Sequence, residues 1–202
     1  GAVWIAAWVE RTRRSWLKPA ILVPLVLGGL IAAPLAMPIL PVEWTVRYTQ
    51  FWDVKAIHVE KQKLGELPQL FADMFGWEKQ VEVVAGIYHR LPEVDRQKCA
   101  LWAWNYGEAG AIDYFGPRYA LPKAISTHNS YFLWGPRDDR GEIVIAVGVP
   151  LVHLRSLFGQ VEQVASVTAE YAMPEEANLP IYLCRQPKQD LRQAWPLLKF
   201  FG

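Results

Sequence analysis

Apolar positions follow two different rhythms along this chain. From Pro19 to Val42 no residue is charged, a run longer than the roughly 20 residues a helix needs to cross a hydrocarbon core. Pro19, Pro24, Pro34, Pro38 and Pro41 lie within it. In water they would make a poor helix, but a membrane helix tolerates them because neighbouring groups re-satisfy the freed carbonyls. The run predicts a transmembrane helix over 19–42. It is too long, and starts too far into the chain, for a signal peptide. The other reading is a buried core helix. Arg11, Arg13, Arg14 and Lys18 precede the run, whereas Glu43, Arg47, Asp53 and Lys55 follow it with mixed sign. An excess of positive charge marks the cytoplasmic side, so 10–18 is expected to be a cytoplasmic loop and everything after 43 to lie outside. Residues 1–9 are apolar but too short to span, and read as the end of a preceding transmembrane helix. In the juxtamembrane connector, 44–66, Tyr48, Phe51 and Trp52 suit the headgroup level, and alternation over 56–60 predicts a short strand.

Beyond residue 66 the rhythm changes. Leu70, Met74, Trp77, Val81, Val84, Tyr88 and Leu91 recur at spacings of three and four, predicting one amphipathic helix over 67–91, with Pro68 in its first turn and Pro92 ending it. The runs 99–104 and 142–149 are apolar without alternation and predict buried strands. Residues 161–167 and 179–184 read as two more. Helices are expected from Gly107 to Phe115, after Pro150 until Gly159, and after a capping Asp190, the last shortened by Pro196. This alternation predicts an α/β fold for 67–202, a small three-layer-like domain with a largely parallel sheet.

Between the first two strands lies the stretch richest in chemistry, Trp104 to Pro136. Gly107 and Gly110 stand at a strand-to-helix turn, and ligands of open α/β sheets bind outside the carboxyl ends of strands. Close packing explains two small residues there as well as an anion site does, since the spacing matches no phosphate-binding fingerprint. Residues 126–136 read as an ordered loop. Asn105, Tyr106 and Glu108 are expected to face His128, Asn129 and Tyr131 across a crevice, forming one polar patch with an aromatic wall; Asp113 and Trp134 complete the candidates for substrate binding. The alternative is a loop that packs on the domain, its aromatics serving as core. Glu108 and Asp113 do not suit a catalytic pair, because five residues apart on a helix they point about 140° apart. Glu108 also reads as a first-turn acid complementing the helix dipole, and Asn105 or Asp113 as a cap.

NYGEAGAIDYFGP (105–117) followed by LPKAISTHNSYFLWGP (121–136) resembles the extracytoplasmic C-terminal domain of bacterial glycosyltransferase family 39. These integral-membrane proteins are relatives of the protein O-mannosyltransferases and of the lipid A aminoarabinose transferase. The resemblance extends through LPQLFADMFGW (67–77) and YAMPEEANLPIYLCR (171–185), and covers most of 65–200. It implies a multi-pass protein of the bacterial cytoplasmic membrane that transfers a sugar from a polyprenyl-phosphate donor to an extracytoplasmic acceptor. The family's catalytic Asp lies in a first outer loop to which nothing here corresponds. The chain is therefore expected to be the tail of a longer enzyme, acting with its N-terminal membrane part and inactive alone. Some members use a divalent metal; no cofactor is expected in this part. A non-catalytic, membrane-anchored module that binds a glycan or a protein is the alternative.

Composition narrows the partners. The net charge is +1 with no basic stripe, which argues against nucleic acid. Ten tryptophans and an apolar share of 52% are high for a soluble domain, and much of the excess falls in the first fifth of the chain, where the lipid bilayer is the expected partner. Cys99 and Cys184 each fall in an expected strand and read as buried thiols, a disulfide being allowed in an oxidising compartment but not implied. His58, His89, His128 and His153 are scattered, with no cluster at metal-ligand spacing.

Overall fold

The computed structural model describes residues 1–12, 14, 16–52, 67–174 and 176–201. The strand expected over 56–60, and His58 within it, lie outside the described residues. The chain divides into two compact units, one centred on residues 1–52 and the other on 72–201.

The first unit is helical: α1 (Ala2–Arg11), α2 (Leu17–Ala36) and α3 (Val42–Phe51). α2 holds 20 residues, about 30 Å at 1.5 Å per residue. It is long and apolar enough to cross a membrane, which no other described helix is. It starts earlier and stops sooner than the expected 19–42. Pro24 and Pro34 are absorbed within it, but Met37 is extended, the conformation favoured before a proline, and Pro38 follows. α1 spans 10 residues, too few to cross. The connector begins with a helix, α3, whose Thr45 and Thr49 are buried.

The second unit holds the sheet. The single helix expected over 67–91 is two: α4 (Gln69–Ala72), most of which belongs to the first unit, and α5 (Trp77–Arg90). Gly76 stands between them at φ +92°, a left-handed conformation that glycine adopts without penalty and that no helix can contain. Val81 and Val84 of the expected stripe are buried, whereas Leu70 and Met74 are exposed. Pro92 then opens α6 (Glu93–Arg96), and β1 (Cys99–Ala103), α7 (Tyr106–Phe115), β2 (Ala124–Ile125), α8 (Asn129–Leu133), β3 (Ile143–Val147), α9 (Leu151–Leu157), β4 (Phe158–Thr168), β5 (Asn178–Pro187) and α10 (Leu191–Ala194) follow. Gly159 does not end a helix as expected; Phe158 is already extended and starts β4. Asp190 caps α10, accepting from the Arg192 N–H at 2.9 Å, and Pro196 lies in the 3-10 turn that cuts it short.

The strands run β2-β1-β3-β5-β4. β2 and β3 both pair parallel with β1, whereas β5 pairs antiparallel with β3 and with β4. The sheet is thus parallel on one side and antiparallel on the other. The reason lies in the connections: helices link the parallel strands, whereas residues 169–177 join β4 to β5 with no helix among their described residues, and so short a link permits only an antiparallel pair. Alternate side chains build two cores. Leu101, Ile145 and Ile181 pack with Val81, Val84 and Ile112 of α5 and α7. Trp102, Val144 and Cys184 pack with Leu154, Leu157 and Leu191 on the other face. The domain is therefore α/β in three layers, as the alternation predicts. Cys99 and Cys184 are buried and free, on opposite faces of the sheet.

Candidate functional site

β1 lies between β2 and β3, so the chain leaves its carboxyl end first to one side and later to the other. Such a switch point is where open α/β sheets leave a crevice. The segments that converge there are 104–108, 126–129 and 148–153.

Asn105 and Glu108 are bound to each other's backbone. Asn105 Oδ1 accepts from the Glu108 N–H at 2.9 Å, and Glu108 Oε2 accepts from the N–H groups of Asn105 at 3.2 Å and Trp104 at 2.8 Å. This reciprocal capping box satisfies donors that the start of α7 would otherwise leave bare. Glu108 is only 2% exposed. Burial pushes its carboxyl up to about 8, the Glu176 charge adding to the rise while the Asn105 and Trp104 N–H groups oppose it. Gly148 makes room for this carboxylate: at φ +66°, a Cβ there would stand 2.5 Å from Glu108 Oε1. Gly107 has a packing reason too, since a Cβ would meet the Trp77 ring at 3.0 Å.

His128 crosses to the same turn. Its Nδ1 accepts from the Tyr106 N–H at 3.4 Å. Ser126 Oγ holds the approach, donating to the Trp104 carbonyl and accepting from the His128 N–H, both at 3.2 Å. The rings form a ladder. Tyr106 lies 5.2 Å from His128, and Phe200 is sandwiched between His128 at 4.5 Å and Trp104 at 4.3 Å, near parallel to both. His153 stacks beyond Trp104 at 5.2 Å. The Phe200 backbone is fixed by hydrogen bonds, donating to the Thr127 carbonyl and accepting from the Asn129 N–H. Tyr106 and His153, at the ends of the ladder, are exposed.

The expected single patch is therefore divided. Asn105, Tyr106 and His128 meet at the carboxyl end of β1. Glu108 lies beneath it, in the interior rather than on a surface, because the capping box draws its carboxylate inward. Asn129 enters through its backbone, at φ +48°. Tyr131 turns to Asp113 instead, donating to Oδ2 at 3.2 Å, while Asp113 Oδ1 accepts from the Ala124 N–H at 2.8 Å. Burial and the Asp113 charge push the Tyr131 hydroxyl up to about 12. Trp134 packs edge-on against Tyr131 at 4.5 Å and is otherwise exposed. The segment 126–136 is not a plain loop, since α8 occupies half of it. One and a half turns are too short to show a helical period. Phe132 serves as core there, stacking on Trp195, whose indole N–H donates to the Phe132 carbonyl at 3.0 Å.

Trp104, His153 and Phe200 complete the ring ladder but were not among the expected residues. Trp104 adjoins the central motif; nothing local marks the other two, because only the tertiary fold brings them together. Among the described residues no three His, Cys, Asp or Glu side chains are grouped to hold a metal ion. Compared with protein-family models, curated proteins and solved structures, the chain has no match.

Proposed function

We propose that the chain is the C-terminal, non-catalytic part of an integral-membrane glycosyltransferase. In this reading α2 is a membrane span that leads out of the cytoplasm, and the α/β domain serves on the acceptor side. The N-terminal membrane part of the same protein binds the polyprenyl-phosphate sugar and carries the catalytic Asp. The transferase assignment rests on the sequence resemblance across 65–200, together with a helix of membrane-crossing length. The non-catalytic role rests on one observation: Glu108 and Asp113, the two carboxylates of α7, are both engaged in holding the fold. Glu108 caps α7 from the interior, and Asp113 ties α7 to β2 and α8. An acid or nucleophile must approach the anomeric carbon, and a carboxylate this buried does not.

A second reading is favoured by the ring ladder. A membrane-anchored glycan-binding module would present flat aromatic faces, and Tyr106 and His153 offer two. The experiment is a transfer assay in proteoliposomes with a radiolabelled polyprenyl-phosphate sugar. This chain alone is expected to transfer nothing, and the protein with its upstream spans to be active. Turnover by the chain alone would overturn the non-catalytic role and return Glu108 as a candidate. Inactivity of the longer protein, with glycan binding lost in Tyr106→Ala, would favour the module.

A further inference from the structure

α3 partitions its side chains into three stripes. Thr45 and Thr49 are buried. Glu43, Arg47 and Gln50 fall within about 60° of one another at 3.6 residues per turn, and Trp44, Tyr48, Phe51 and Trp52 within about 100°. The aromatic stripe lies between the other two. It is exposed, Trp44 by 61% and Phe51 by 78%, yet its rings touch: Tyr48 and Phe51 both lie against Trp52, at 6.3 Å and 5.3 Å. Arg47 lies over the Trp44 ring at 5.8 Å, at the seam between polar and aromatic stripes.

The helix is also pinned at a definite height. The Tyr48 hydroxyl donates to the Ile31 carbonyl of α2 at 2.7 Å. This carbonyl adjoins that of Leu30, which loses its helical donor to Pro34. Ile31 stands five residues before the end of α2, about 7.5 Å along its axis. Interfacial helices bury their apolar faces about 5–10 Å into the boundary between headgroups and acyl chains. Tryptophan and tyrosine gather at that boundary because one end of each ring is apolar and the other polar.

We infer that α3 is a membrane-interface helix: its aromatic stripe seats in the headgroup–acyl boundary of the lipid bilayer, with Glu43, Arg47 and Gln50 turned to water and Tyr48 locking it to α2. The inference rests on α2 being a membrane span. The bilayer is favoured over a protein groove because the stripe continues from a helix that itself has no buried residue, and because its polar neighbour is a complete stripe rather than a rim.

The test places an environment-sensitive fluorophore at single cysteines, Phe51→Cys, Trp44→Cys, Arg47→Cys and Leu27→Cys, in the full chain in phosphatidylcholine vesicles. Cys99 and Cys184 will not compete, since burial pushes both thiols up to about 12. Quenching by lipid nitroxides near the headgroup is expected to be several-fold stronger at 51 and 44 than at 47. Aqueous iodide should give the reverse order, and position 27 should answer only to deep nitroxides. Iodide reaching 51 and 44 as readily as 47, with 27 still lipid-quenched, overturns the inference alone. Shielding of 51 and 44 from both quenchers overturns it in favour of a protein neighbour. Iodide reaching 27 overturns the span, and the inference with it.

Discussion

α2 and β3 are built from the same kinds of residue and meet opposite surroundings. β3 reads IVIAV, and all five residues are buried, covered on one face by α5 and α7 and on the other by α9 and α10. α2 reads LKPAILVPLVLGGLIAAPLA, and none of it is buried. Ile145 is 0% exposed where Leu25 is 67% exposed. Apolarity demands that water be excluded but does not say by what. In β3 other side chains exclude it. Ordinary soluble domains keep their exposed apolar patches small, whereas α2 is long and apolar enough to cross a membrane.

The sharpest way to break the contrast is truncation on each side. Ile145→Ala should lower the unfolding free energy of the α/β domain by about 2–5 kcal/mol, the range for a buried aliphatic cut to alanine. Leu25→Ala should leave it unchanged in the same denaturant titration in detergent micelles. Equal losses would mean that α2 is part of a common core.

A smaller effect separates the interior of the domain from its surface chemistry. Glu108 holds its proton up to about pH 8, against an ordinary value of 4.5. Between those values the folded state binds more protons than the unfolded one. Stability from the protonated carboxyl is therefore full below about pH 4.5 and is lost as pH rises through about 8. The denaturation midpoint should fall over that interval. Glu108→Gln should flatten the decline, since Gln at the same position still serves a capping box. Glu108→Ala should cost about 1–2 kcal/mol through loss of the cap. An undiminished slope in Glu108→Gln would place the titration elsewhere.

The smallest effect is expected at the rim. Arg185 of β5 pairs with Asp95 of α6 at 2.7 Å, both partly exposed. Asp95→Asn should cost less than about 1 kcal/mol, and the loss should shrink as salt screens the pair. A salt-independent cost as large as that of Ile145→Ala would make the rim, not the core, the seat of stability.

Much of the second unit was legible in the sequence. The unalternating runs around 99–104 and 142–149 marked strands covered on both faces. The capping box at α7 was readable in outline, Asn105 as a cap and Glu108 as a first-turn acid. The break at Gly76 was not, because a repeat of three and four continues across it; one reversed φ leaves no trace in a hydrophobic stripe. The antiparallel turn of β5 was hidden as well, since a short apolar strand reads alike in either direction.

What the sequence determined by itself is therefore local. Periodicity, caps and the uncharged run depend on residues a few positions apart, and the backbone enforces them directly. The ring ladder joins Trp104, His128, His153 and Phe200 across nearly half the chain, and Tyr131 pairs with Asp113 rather than with Tyr106 and His128. Only the tertiary structure decided these, because stacking and a buried hydrogen bond form only after the sheet has closed the intervening loops.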